Sequence, residues 1–324
     1  MKKKITALMM ALAMCLSLAA CGDSSNSGDD AADKYVVGIC QLVQHDALDA
    51  ATQGFKDALV AELGEDKVEF LEQNASNDIP TCSTICNGFA ADGVDLILAN
   101  ATPALQAAVS ATQTIPILGT AVTEYGVALD IENFSGTVGG NVSGTSDLAP
   151  LDQQAAMVTE LVPDAKTVGI LYCSAEANSV YQAEVVKAAL EAKDLTVNIY
   201  TFSDSNDVAT VTATACDECD VLYIPTDNTA ASCAEAINNV ALPAKTPIIA
   251  GEEGICSGCG IATLSIDYYE LGVTTGKMAA KILTGEADIS DMPIEYYQNP
   301  VKKFNADLCD ALGITAPADY TAIG

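Results

Sequence analysis

Val36-Val37-Gly38-Ile39-Cys40, followed by the polar residues Gln41, Gln44, His45 and Asp46 and then by Leu48, Ala51, Phe55 and Leu59, is the passage that decides the fold. A short, almost unbroken apolar run marks a strand covered on both faces, and apolar residues at three- and four-residue intervals mark one face of a helix. The same strand, polar loop and helix recur down the chain. Val68 to Leu71, Val94 to Leu98 and Ile115 to Leu118 complete a first set of strands. Val168 to Tyr172, Val197 to Tyr200, Val221 to Ile224 and Pro247 to Ala250 form a second set of similar length. Two matched halves of βα steps predict an α/β protein with two Rossmann-like lobes, each on a parallel sheet. Helix starts are expected at Asp46, at Thr102-Pro103, and at Ser179-Val180-Tyr181-Gln182, which has capping-box spacing and opens a helix to about Ala192. Between the halves, Gly136 to Ser146 is rich in Gly, Ser, Thr and Asn and reads as a crossover whose glycines permit a hinge.

The amino terminus decides the compartment. Lys2, Lys3 and Lys4 precede an apolar stretch, Ile5 to Leu18, too short for a permanent span, so residues 1–20 read as a secretory signal peptide. Leu18-Ala19-Ala20-Cys21 resembles the lipobox of bacterial lipoproteins, which implies lipid on Cys21 and anchoring to the outer face of the cell membrane. Residues 21–34, largely Gly, Ser, Asn, Asp and Ala, then form a flexible tether. Lobe 1 is expected over 35–146, completed by about 265–290, and lobe 2 over 147–264; the place of 291–324 stays open. A net charge of -30, with lysines scattered and no arginine, excludes a nucleic-acid partner.

In open α/β sheets ligands bind beyond the carboxyl ends of the strands, so two facing lobes line one cleft with their loops. The polar residues at those positions are Gln44 and His45, Thr102, Asn178 and Ser179, Asp227 and Asn228, and Asp267. Glu252 and Glu253 follow the fourth strand of the second half. This set suits a zwitterion. A carboxylate would sit at a helix N-terminus beside the Thr102 or Ser179 hydroxyl, and an ammonium would meet Asp227 or Asp267 with Asn228. Tyr125, Tyr181, Tyr223, Tyr268 and Tyr269 are available to flank a side chain. The same residue types also cap helices, so each position carries both readings. His45 is the single histidine. Without a Gly-x-Ser-x-Gly elbow, a P-loop or a GxGxxG turn, neither catalysis nor a cofactor is expected.

Ten cysteines follow Cys21. Cys216/Cys219 and Cys256/Cys259 have the ligand type for a tetrahedral zinc site, but the pairs lie further apart than in common zinc ribbons. Reduced thiols or disulfides are expected there, and no metal.

Three segments carry a family resemblance: Asn100-Ala101-Thr102-Pro103-Ala104-Leu105-Gln106, Ile224-Pro225-Thr226-Asp227-Asn228-Thr229 and Ile266-Asp267-Tyr268-Tyr269-Glu270-Leu271-Gly272. With Gly139 to Asp147 they resemble the ABC-type substrate-binding lipoproteins whose known ligands include tryptophan and other aromatic amino acids. The resemblance implies the type I periplasmic-binding-protein fold, with three crossovers and a closing cleft. It implies a site around Gln44, Thr102, Asn178, Ser179, Asp227, Asn228 and Asp267, an ABC permease as partner, and a monomer. Branched-chain amino acids, other small zwitterions or a nucleoside-like solute are alternative ligands. A sensing receptor of the same fold is an alternative role, and an exported enzyme would need a titratable pair poised in the cleft.

Overall fold

A computed structural model describes residues 34–323. The signal peptide, the Cys21 attachment point and all but the last residue of the tether lie outside the described residues. The first half runs β1 (Tyr35–Gln41), α1 (Asp46–Leu63), β2 (Val68–Asn74), α2 (Ile79–Asp92), β3 (Leu96–Asn100), α3 (Thr102–Ala111), β4 (Ile117–Val122), α4 (Tyr125–Ala128) and β5 (Val142–Ser146). The second half opens with α5 (Leu151–Leu161), β6 (Thr167–Cys173), α6 (Ala177–Glu191), β7 (Thr196–Phe202) and α7 (Val208–Glu218). It continues with β8 (Val221–Ile224), α8 (Asn228–Ser232), α9 (Ala234–Ala244), β9 (Ile248–Ala250), α10 (Glu253–Cys259) and β10 (Ala262–Ser265). The chain ends with α11 (Tyr268–Leu283), β11 (Glu295–Tyr296), β12 (Val301–Phe304), α12 (Ala306–Leu312) and β13 (Thr321–Ala322).

The strands form two sheets, ordered β11-β5-β4-β3-β1-β2 and β13-β12-β10-β9-β8-β6-β7. Their parallel cores, β2-β1-β3-β4-β5 and β7-β6-β8-β9-β10, repeat one order, so the halves are matched in topology as well as in length. Each sheet buries apolar residues on both faces: Ile97 and Phe89 on one side of the first, Leu96 and Phe55 on the other. This is the two-lobed α/β architecture that the unbroken apolar runs predict. The chain passes between sheets three times, at residues 147–150, 266–267 and 297–300. Of the last stretch, β11 joins the first sheet, while β12 and β13 extend the second.

Two expectations need correction. Gly136 to Ser146 is not all crossover: Val142–Ser146 is β5, fully buried and paired with β4, and the crossing begins at Asp147. Its polar residues are buried because their hydroxyls are satisfied. Ser143 donates to the Met292 carbonyl at 3.0 Å, and Thr145 lies 2.8 Å from Thr275 and 3.3 Å from Thr120. The helix starts also shift. Asp46 and Thr102 are first helical residues rather than caps, and α6 starts at Ala177, two residues before the Ser179 capping box.

The contact that closes the first lobe joins its first helix to a helix nearly the whole chain away. α11 lies against α1 so closely that a Cβ added at Gly272 would land on the Ala51 carbonyl, and one at Gly54 on the Tyr269 carbonyl. Small residues at a crossing let two backbones approach and pack to interior density. Gly272→Val is therefore expected to lower stability by more than about 3 kcal/mol in urea unfolding, because the helices cannot separate without opening the core. Gly88→Ala, on the exposed face of α2 with open space around it, should leave stability unchanged or raise it by up to about 1 kcal/mol.

Candidate functional site

The reversal of strand order in each sheet, between β1 and β3 and between β6 and β8, opens a crevice at the carboxyl edge. The two crevices face one another across a cavity of about 10 Å³, room for roughly one water molecule. The first lobe contributes His45 and Leu48 from the start of α1, and Ala121 and Thr123 from the end of β4. The second contributes Asn178, Thr226, Asp227, Asn228, Ala231 and Glu252. Asp147, from the first crossover, and Tyr268, at the start of α11 directly after the second, complete the wall.

Four of the eight residues named from sequence thus come together: His45, Asn178, Asp227 and Asn228. The other four lie off the wall. Thr102 is buried outside the lining, and Ser179 is buried behind it, its hydroxyl accepting from the Asn178 amide at 3.3 Å. Gln44 faces open surface grooves, and Asp267 is an exposed cap whose carboxylate accepts from the Glu270 backbone N–H at 3.1 Å.

One carboxylate organises the second lobe's wall, and the sequence reading did not single it out. Glu176, 2 % exposed, accepts from the Asn228 backbone N–H at 3.0 Å and the Asn228 side-chain amide at 2.7 Å. It also accepts from the Thr229 backbone N–H at 2.9 Å, the Thr229 hydroxyl at 2.8 Å, and the Asn178 amide at 3.2 Å. A buried carboxylate is tolerated only when hydrogen-bonded in this way, and here it fixes both amide side chains of the wall.

Asp227 and Glu252 hold helix starts. Asp227 accepts from the Ala230 and Cys173 backbone N–H groups, both at 2.7 Å, and so ties α8 to the end of β6. Glu252 accepts from the Gly254 and Ile255 backbone N–H groups at the start of α10. Burial pushes Glu252 up to about 7; burial first, and then the Glu176 charge, push Asp227 up to about 8. Burial also raises Asp147, although the Tyr268 hydroxyl donates to it at 3.0 Å and opposes the shift. No lysine or arginine lines the cavity among the described residues.

Among the described residues, two hydrogen bonds span the cleft. The Asn77 amide donates to the Thr229 hydroxyl at 3.0 Å, and His45 Nε2 lies 3.2 Å from Asn228 Oδ1. The Asn228 amide nitrogen donates to Glu176, so its oxygen is the acceptor facing His45, and the network assigns the histidine proton to Nε2. Burial lowers the His45 pKa, which keeps the ring neutral. Backbone strain borders the site: Ala101 and Ala121, at the ends of β3 and β4, have φ of 91° and 51°.

No cysteine lines the cavity among the described residues, although the Cys173 backbone holds Asp227 from behind. Cys256 and Cys259 are buried in α10, where their thiols donate to the Gly260 and Ile255 carbonyls, and the described residues hold no group of metal-ligating side chains. All ten described cysteines are free thiols.

Comparison with known proteins is consistent in fold and in length. Residues 36–322 match the family model for the ABC transporter substrate binding protein. The tyrosine-binding protein of Clostridioides difficile is 36% identical, over 96% of this chain and 92% of that protein. The ABC domain in complex with L-Trp from Streptococcus pneumonia superposes with a TM-score of 0.86 at 32% identity, covering 90% of this chain and all of the other. A ligand-free, open substrate-binding protein with adhesive properties from Clostridium difficile gives 0.68 at 37% identity, over 89% of this chain and 99% of that one.

A pH dependence follows from the buried carboxyls. Glu252, with its folded pKa raised, stabilises the fold fully below its unfolded value near about 4.3, and that contribution is lost as pH rises through about 7. The unliganded protein should melt at a lower temperature at pH 8 than at pH 5 by calorimetry. Glu252→Gln should remove about 3 kcal/mol of that difference; an unchanged slope would place the dependence elsewhere.

Proposed function

The chain belongs to the ABC transporter substrate-binding protein family, and from that premise we propose that it is the extracytoplasmic receptor of an ABC importer. It captures a small amino acid, with an aromatic one favoured, between its lobes and presents it to a membrane permease. In this reading lipid on Cys21 holds a monomer at the outer face of the membrane, with residues 21–34 as the tether. Lobe 1 comprises 35–146 with the segment beginning near 265, and lobe 2 comprises 147–264.

The observation that carries the reading is the conformation. The lobes meet through Asn77–Thr229 and His45–Asn228, and the chain superposes better on the L-Trp complex than on the open, ligand-free relative of higher identity. This is a closed arrangement, drawn tighter than a bound amino acid requires, so a solute enters only when the lobes part. The wall also suits an amino acid, since it combines buried carboxyls and amides with apolar surface from Leu48, Ala121 and Ala231. A ligand touching both lobes shifts the population toward closure, and the closed face is what a permease can read. In this reading the ligand is bound and released unchanged.

Thermal unfolding of the purified protein against the twenty amino acids, nucleosides and polyols tests this. Tryptophan, tyrosine or phenylalanine at about a hundred times its dissociation constant should add about 2.7 kcal/mol and raise the midpoint by about 5 °C. A shift produced by polyols or nucleosides and by no amino acid would remove the ligand assignment and leave the receptor role.

A further inference from the structure

Five buried side-chain polar atoms have no hydrogen-bond partner among the described residues, and three of them belong to the cleft wall: His45 Nδ1, Asp147 Oδ1 and Asn178 Oδ1. Such atoms are costly in isolation, so their concentration in one cavity points to a ligand. Their chemistry can be assigned individually. His45 carries its proton on Nε2, so Nδ1 offers a lone pair. The Asn178 amide nitrogen donates to the Thr226 carbonyl at 3.0 Å and to Glu176 at 3.2 Å, so the atom left over is the carbonyl oxygen. Asp147 is 3 % exposed; its Oδ2 accepts from the Tyr268 hydroxyl, and its Oδ1 remains. All three are acceptors. One comes from the first lobe, one from the second and one from the crossover between them.

We propose that His45 Nδ1, Asp147 Oδ1 and Asn178 Oδ1 together form the subsite for a primary ammonium group, making a free amine obligatory in the ligand. The proposal rests on the reading of the cleft as a solute site and deepens it. A primary ammonium has three N–H donors and no acceptor, which matches three acceptors with one carboxylate among them. Asp227 and Asp267 are not the ammonium partners. Asp227 directs its two oxygens to the Ala230 and Cys173 backbone N–H groups, and Asp267 is exposed at the start of α11. Because the three acceptors lie on both lobes and on the crossover, the ammonium also holds the lobes together, as closure by a ligand requires.

Calorimetric titration of the purified protein with matched pairs tests the subsite: L-tryptophan against indole-3-propionate, L-tyrosine against 3-(4-hydroxyphenyl)propionate, and L-leucine against 4-methylpentanoate. The expected result is that, of each binding pair, the deaminated partner is weaker by about a thousandfold or more, since it leaves buried acceptors unpaired. Asp147→Asn, isosteric and neutral, should weaken the amine by about a hundredfold while shrinking the ratio between partners. Should that variant not fold, as judged by its unliganded melting, the matched pairs on the unaltered protein decide alone. Deaminated partners binding within tenfold of their amines would overturn the proposal, as would undiminished binding by folded Asp147→Asn or no binding by any of the three amines. Leucine binding in preference to both aromatics, with the amine still required, would sustain the subsite and remove only the aromatic preference.

Discussion

The docking of α11 on α1 is the constraint from which the site follows. The chain leaves the first lobe at Asp147, builds a second lobe, and returns at Ile266 to lay a helix across its own first helix. The approach is close enough that Gly54 and Gly272 have no room for a side chain, so the return helix has one seating. That seating sets Tyr268, its first residue, against the cavity, where its hydroxyl meets Asp147. Thr275, two turns further on, joins Thr120 and Thr145 and fixes β4 and β5 beneath it. The two crossovers are thereby tied to each other at the point where the lobes pivot.

The two sides of the cleft differ in how firmly they are held. The second lobe's wall is cross-braced through Glu176, which gathers Asn178, Asn228 and Thr229 from two helix starts. The first lobe reaches across with two hydrogen bonds, from Asn77 and His45. A preformed wall paired with a loosely attached partner suits a receptor that must open and close, since most of the ordering cost is met before the solute arrives. Three carboxyls pushed up by burial, with no cationic side chain beside them, also give the cavity a charge preference of its own.

The strands were legible because both faces of a parallel sheet demand apolar residues, and Val36–Cys40 or Val221–Ile224 satisfy that on sight. β5 was not, because Ser143 and Thr145 look like linker residues until their partners, Met292 and Thr275, are brought near from the far end of the chain. Loop position identified the neighbourhood of the site but not the direction of each side chain. Asn178 points into the cavity and Ser179 does not, and Asp227 lies on the wall where Asp267 lies on the surface. Glu176 escaped notice because its importance resides in Asn228 and Thr229, some fifty residues away. Asp147 was visible only as part of a family-like segment, and its meaning comes from an oxygen without a partner.

The route of the chain has a consequence for how the molecule is made. α1 carries an apolar, glycine-bearing face that stays uncovered until residues 268–283 have been delivered, roughly two hundred residues later in synthesis. The first lobe, though begun first, cannot finish before the strands β6 to β10 have emerged, and these are contiguous in sequence. Assembly is therefore interleaved: β6 to β10 form a contiguous block, the first lobe waits with an apolar helix exposed until α11 emerges, and β12, α12 and β13 complete the second lobe last. A chain of this design is exposed to premature association during that interval, through a surface that the finished fold hides completely.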